Sequence, residues 1–164
     1  MNGLPHVHLV PVRPEDETFV YRVYASTRME EIAAFGWNAA QQEAFLRMQF
    51  TAQKRWYEMA YPDAEHNLIV RDQPDAAAIP VGRIMVQRVP KALRLVDIAL
   101  LAEHRGCGIG SVLVGELISE ARRANLPVEL QVMKTNRAAR LYERLGFMRT
   151  GEDDMYYQMR IHPG

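Results

Sequence analysis

Apolar and polar residues alternate through HVHLVPVR (6–13), the period-two pattern of a strand. Pro14-Glu15-Asp16-Glu17 then reads as a helix start, with proline in the first turn and acids toward the positive end of the helix dipole. That helix carries Phe19, Val20, Val23, Tyr24 and Thr27 on one face and is predicted to run to about residue 30, before Gly36-Trp37. Asn38 is placed to cap a second, longer helix, AAQQEAFLRMQFTAQKRWYEMA. In it Phe45, Met48, Ala52, Trp56 and Met59 recur at three-and-four spacing, which predicts one buried stripe. Leu46, Phe50 and Tyr57 lie off that stripe, so the helix is expected to be contacted on two sides until Pro62-Asp63 ends it.

Beyond this point the pattern changes to strands. HNLIVRD (66–72) and IPVGRIMVQRV (79–89) flank the turn-rich QPDAAA, and LRLVDIALL (93–101) is apolar enough to sit centrally. After the glycine-rich EHRGCGIG (103–110), Val112, Leu113, Leu117, Ile118 and Ala121 show helical periodicity, stopped by Asn125 and Pro127. VELQVM (128–133) reads as a strand, NRAARLYERLG (136–146) as a short helix closed by glycine, and MYYQMRI (155–161) as a last strand. No repeat, low-complexity tract or linker interrupts the order, so residues 1–164 are expected to form one mixed α/β domain.

Composition narrows the partners more than the fold. With 20 basic and 20 acidic residues the net charge is zero, which argues against nucleic acid or another polyanion as the general partner, though a local basic patch is compatible with a zero sum. Cys107 is the one cysteine, so no intrachain disulfide can form. The start, MNGLPHVHLVPVRPED, lacks the basic and apolar segments of a secretory leader, and no apolar run approaches a membrane span. A cytoplasmic chain with no membrane partner is the expectation.

The glycine-rich loop is where chemistry enters. A strand, a glycine turn and a helix start together form an anion-binding device, because first-turn amides lack internal partners and the dipole is positive there. Gly106, Gly108 and Gly110 carry no β-carbons to block an approaching phosphate, and Arg105 adds a cation at the entrance. No lysine follows Gly110 as a Walker loop requires, and the G-x-G-x-G spacing is not that of a dinucleotide fingerprint. By itself the stretch fits a structural turn as well as a ligand site.

A second segment separates these readings. Arg105-Gly106-Cys107-Gly108-Ile109-Gly110 matches [RQ]-x-x-G-x-[GA], and Asn136, Ala139, Leu141, Tyr142, Gly146 and Phe147 match N-x-x-A-x-x-L-Y-x-x-x-G-F. With both motifs the chain resembles the GNAT superfamily of acyl-CoA-dependent N-acetyltransferases, over roughly residues 66–160. The resemblance implies a mostly antiparallel sheet splayed between its fourth and fifth strands, flanked by helices. It implies acetyl-CoA as acyl donor, its diphosphate on the amides of Arg105, Gly106, Cys107, Gly108, Ile109 and Gly110, with a further hydroxyl from Ser111. Main-chain groups of Ile98, Ala99 and Leu100 would pair with the pantetheine arm, an N–H near Leu100 would hold the oxyanion, and Asn136 would contact the cofactor while also suiting a helix cap.

Tyr142 is the expected general acid, since a phenol of pKa about 10 held near the sulfur suits the departing thiolate. Some family members carry a glutamate five residues ahead of the asparagine motif. Here that residue is Gln131, which cannot act as a base. Asp97 comes first among the replacements, ahead of Glu129, with proton loss through ordered water an equal alternative, whereas Glu103 and His104 fall nearer the diphosphate. Cys107 occupies a variable loop position and is not expected to be catalytic. His6 and His8 share a strand face without a third ligand, and His66, His104 and His162 add no metal spacing, so no metal is expected.

The acceptor is expected to be a primary amine on a small molecule or peptide. Tyr24, Arg28, Glu30, Glu31, Trp37, Gln49 and Tyr57 are available on the first two helices. Glu30 or Glu31 would suit a cationic amine and Arg28 a carboxylate, but all of them suit a solvated helix surface equally. Two other functions stay open: a non-catalytic acyl-CoA-binding module, favoured by Gln131, and a transferase acting on a protein or tRNA-bound amine, weakened by the neutral charge. Homodimers are common in the family, often through the last strand.

Overall fold

The computed structural model describes residues 5–164; residues 1–4, the start of the segment read for a leader, lie outside them. The strands are β1 (Val7–Pro11), β2 (Glu65–Gln73), β3 (Ala76–Val89), β4 (Ala92–Leu100), β5 (Val128–Met133), β6 (Met148–Glu152) and β7 (Tyr156–Ile161). The helices are α1 (Glu17–Ala33), α2 (Ala39–Ala60), α3 (Ile109–Arg123) and α4 (Ala138–Arg144). All seven strands form one sheet in the order β1-β2-β3-β4-β5-β7-β6. Every neighbouring pair is antiparallel except β4 and β5, whose parallel pairing is joined through α3.

That parallel pair positions the site. Leu93, Arg94 and Leu95 of β4 pair with Val128, Glu129 and Leu130 of β5, and there the pairing stops. Just beyond, Met85 stands opposite Asp97 while Val86 stands opposite Leu95, so Val96 is the extra residue of a bulge in β4. A bulge bends its strand and sharpens the local twist. The second half of β4 stays bonded to β3, and Gln131–Met133 stay bonded to β7, so the sheet opens between them as the resemblance implies.

Helices cover both faces. Leu113, Val114, Leu117, Ile118 and Ala121 of α3 pack with Ile84, Val86, Leu93, Leu95, Val128, Leu130 and Val132. Asn125, in the left-handed region at φ 56, ends this helix where the sequence predicts a stop. On the opposite face Val20, Tyr21, Tyr24 and Ile32 of α1 and Leu46 and Phe50 of α2 pack on Leu68 and Val70 of β2. The Asn38 cap forms as predicted: its side chain accepts from the Gln41 amide at 2.8 Å, and Gln41 accepts from the Asn38 amide at 3.0 Å.

Two expectations are corrected. Most of the stripe read on α2 faces outward, with Met48, Trp56 and Met59 60%, 58% and 77% exposed and Phe45 alone packed on the core, while Leu46 and Phe50 are buried. The inward stripe is Leu46, Gln49, Phe50, Gln53 and Tyr57, and its glutamines hide it from any count of apolar residues. The chain also has a strand the pattern missed. β6 is an edge strand exposed at all five positions, so no face is buried and no alternation is written into MRTGE.

No helix among the described residues is long and apolar enough to cross a membrane.

Candidate functional site

β4 runs into a short 3-10 turn, Ala102–His104, and then into the glycine loop. Gly106 and Gly108 take φ values of 75° and 91°, the left-handed region in which a side chain is strained. Val112 is the first amide to bond back into α3, to the Gly108 carbonyl at 3.0 Å, so the amides of Ile109, Gly110 and Ser111 have no acceptor inside the helix. A β-carbon on Gly106 would meet only open space, whereas one on Gly110 would press against Leu141 of α4 at 3.4 Å. Two left-handed glycines ahead of free first-turn amides fit a diphosphate, and the third glycine seats α3 against α4.

Arg105 turns back from the loop. Its Nε donates to the Leu100 carbonyl at 2.9 Å and its Nη2 to Ser26 Oγ of α1 at 3.1 Å, tying β4, loop and helix together. Cys107 is exposed; its Sγ donates to the His104 carbonyl at 2.9 Å and lies 3.6 Å from Arg71.

At the opening of the sheet, strand alternation sends the main-chain groups of Ile98 and Leu100 toward β5. The Ala99 carbonyl points the other way, close against Gly82 of β3, where any side chain on residue 82 would collide with it. Across the gap Tyr142 of α4 is buried, edge-on to Phe147 with ring centroids 5.7 Å apart. Burial first, and then the negative charge of Asp97, push the Tyr142 phenol well above the ordinary range, so it remains a proton donor. The Asn136 side chain accepts from the Ala138 amide at 2.9 Å, a turn just ahead of α4, whose N-cap is Arg137 and not Asn136, and its amide NH₂ has no hydrogen bond among the described residues. Beside it a groove of about 340 Å³ is lined by Lys134, Arg137, Arg140, Glu143, Arg149 and Tyr157, net basic although Arg149 is paired with Glu143 and Lys134 with Glu152.

On the α1/α2 face, Asp97 is not free. Arg83 Nη2 of β3 lies 2.7 Å from its Oδ2 and also donates to Gln53 Oε1 of α2 at 2.6 Å. The Arg83 guanidinium sits 5.7 Å from the centroid of the Tyr57 ring. Tyr57 is raised well above the usual phenol range, by burial first and then by Asp97. His66, in register with Met85 and so on the same face, is held down to about 4 by burial and by the Arg83 charge. Arg83 Nε and His66 Nε2 are buried without hydrogen-bond partners among the described residues.

The other predicted candidates divide clearly. Gln131 is exposed on β5, opposite Gln158. Glu129 lies where β4 and β5 are still paired, held by Arg160 at 2.7 Å and facing Arg94 at 3.5 Å, so it is kept from the opening. Tyr24 is buried and accepts from Arg28 at 3.3 Å, Arg28 in turn meets Glu31 at 2.8 Å, and Trp37 packs between Phe35 and Phe45. Among the described residues no group of three or more His, Cys, Asp or Glu is placed to hold a metal.

Sequence reasoning missed Arg83, Gln53, His66 and Gly82. The available signal was an arginine inside the buried run GRIMV, one strand away from an aspartate in VDIAL. Opposite charges inside adjacent apolar strands are costly unless they meet.

A glycine loop leading into a helix, beside a sheet opened at its one parallel pair, defines the class of fold. The chain belongs to the acetyltransferase (GNAT) family, whose model matches residues 20–147. It is 33% identical over 78 residues to the ribosomal protein bS18-alanine N-acetyltransferase of Haemophilus influenzae. That match covers 47% of this chain and 53% of the relative, so the chain spans about half the length of the curated relative it matches. Its fold is similar to that of the PaiA N-acetyltransferase of Thermoplasma acidophilum, solved in complex with coenzyme A: TM-score 0.67, 16% identity, 96% of this chain and 99% of that one. A nourseothricin acetyltransferase is 25% identical over 63% of this chain and 67% of its own, with TM-score 0.52.

Proposed function

We propose that this chain, as a single domain over residues 1–164, transfers an acetyl group from acetyl-CoA to a primary amine by direct attack in a ternary complex. The observation that carries the reading is the gap between β4 and β5, which has the glycine loop at its mouth and brings Asp97 within electrostatic reach of Tyr142. Acetyl-CoA supplies the activated thioester. The amides of residues 105–110 and the Ser111 hydroxyl hold the diphosphate, with the basic groove beside Asn136 favouring its negative charge. Ile98 offers its main-chain groups to the extended arm, and the Leu100 N–H is the donor for the oxyanion. Arg105 already holds the Leu100 carbonyl, which steadies the end of β4. Tyr142 protonates the departing thiolate.

The acceptor is an amine on a peptide or small molecule. Of the three relatives, one is named for a protein alanine and one for nourseothricin, so family membership supports an amine without choosing its carrier. Tyr142→Phe tests the acid. Turnover is expected to fall by about 10²-fold or more with acetyl-CoA binding unchanged in calorimetry; unaltered turnover removes the role. The exposed Gln131 in place of a base favours a second reading, an acyl-CoA-binding module without catalysis. Thiol release measured with a panel of amines separates the two.

A further inference from the structure

An amine reaches the cleft as an ammonium ion and must lose a proton before it can attack. Gln131 has no basic group to accept it. The Arg83–Asp97 pair has a geometry suited to this step. The arginine side chain is 5% exposed and the aspartate 22%, so the cation lies inside, beneath α2, and the carboxylate lies at the opening. Arg83 occupies Oδ2 and is itself held by Gln53.

The groups around the pair come from five elements. His66 of β2 is neutral, its pKa held at about 4. Tyr57 of α2, near Tyr61 and Tyr156 of β7, keeps its proton, as do Tyr142 of α4 and Tyr24 of α1, the last beside Arg28. Asp97 of β4 is then the anion that faces the cleft, and Arg83 of β3 the cation directly behind it.

Building on the transferase reading, we propose that Arg83 is a positioning residue for proton loss from the acceptor. It aims the Asp97 carboxylate into the cleft, and its buried charge disfavours an ammonium ion where a neutral amine is welcome. Through Gln53 the aim of that carboxylate depends on α2 as well. The nitrogen–hydrogen bond of the ammonium breaks, the proton passes to Asp97 or through it to solvent, and the freed lone pair attacks the acyl carbon. The carbon–sulfur bond then breaks, the thiolate takes the Tyr142 proton, and the second proton shed by the nitrogen restores the phenol.

The test is the pH profile of kcat, which reports groups in the bound complex. The acceptors are alkylamines, diamines and peptides with a free N-terminal alanine, at saturating acetyl-CoA. For Arg83→Met the rising limb is expected to move up by about one pH unit, so kcat below the limb falls about tenfold. The acceptor KM is expected to hold or drop, because an ammonium ion now binds more readily, while Arg83→Lys keeps the limb near its original pH. Should Arg83→Met fail to fold, Gln53→Glu opposes the arginine charge without removing it and is expected to move the limb in the same direction. A limb that stays in place while the whole profile merely falls makes Arg83 structural and overturns the proposal. A wild-type protein that binds acetyl-CoA yet acetylates none of these amines overturns the transferase reading, and this inference with it.

Discussion

Toward α3 the sheet presents Ile84, Val86, Leu93, Leu95, Val128 and Leu130, a continuous apolar layer. Toward α1 and α2 it presents Leu68 and Val70 too, but His66, Arg83 and Asp97 share that face with them. The first face is a core built on transfer of apolar surface from water. The second combines core with chemistry: its charges persist because they meet each other, the arginine buried among phenols and the aspartate partly open to the cleft. Removing a methyl group harms the α3 face in proportion to the space left behind. Removing one charge harms the other face through the partner left unpaired.

The largest expected effect follows from that difference. Asp97→Asn leaves a guanidinium buried without its counter-charge, and urea denaturation is expected to show a loss of about 3–5 kcal/mol. A loss under about 1 kcal/mol would mean that solvent screens the pair and that the two faces are alike. A smaller effect comes from His66. Its pKa is about 4 in the folded chain against 6.5 in the free side chain, so the unfolded chain takes up the proton first as pH falls. Its contribution is full above pH 6.5, is lost between 6.5 and about 4, and is level below that. His66→Gln is expected to flatten the Tm-against-pH curve in that window relative to wild type; identical slopes would show His66 to be solvated. The smallest effect belongs to the outward stripe of α2, where Trp56→Lys with Met59→Lys is expected to change stability by no more than about 0.5 kcal/mol per site. A clear fall in Tm would return that stripe to the core.

The same contrast governs what could be read from the sequence. Periodicity placed α3 correctly because its buried positions are all apolar, and the strand-loop-helix order around Gly106 and Gly108 follows from local preferences. Both motifs are contiguous in sequence, so the glycine loop and α4 were legible as elements. The acceptor side was not. α2 buries glutamines and a tyrosine next to Leu46 and Phe50 and leaves Met48, Trp56 and Met59 outside, so hydrophobicity selected the wrong face. Asp97 was found one strand at a time, but its partner depends on the register that sets Met85 opposite it, a long-range fact. β6 has no buried residue and therefore leaves no mark in the pattern.

The early end of the β4–β5 pairing has a mechanical meaning as well. Because three residue pairs join the parallel strands, the sheet is two panels, β1-β2-β3-β4 and β5-β7-β6, meeting at a short seam. The unpaired margin of each panel is a few residues long, too brief to zip up with a strand of another protein, yet long enough for one narrow chain carrying a pair of amides. Under the proposed function, a guest of that shape would stitch the panels together. Amide exchange at Ile98 and Leu100 would slow as it settles, and the molecule would be stiffest while it is loaded.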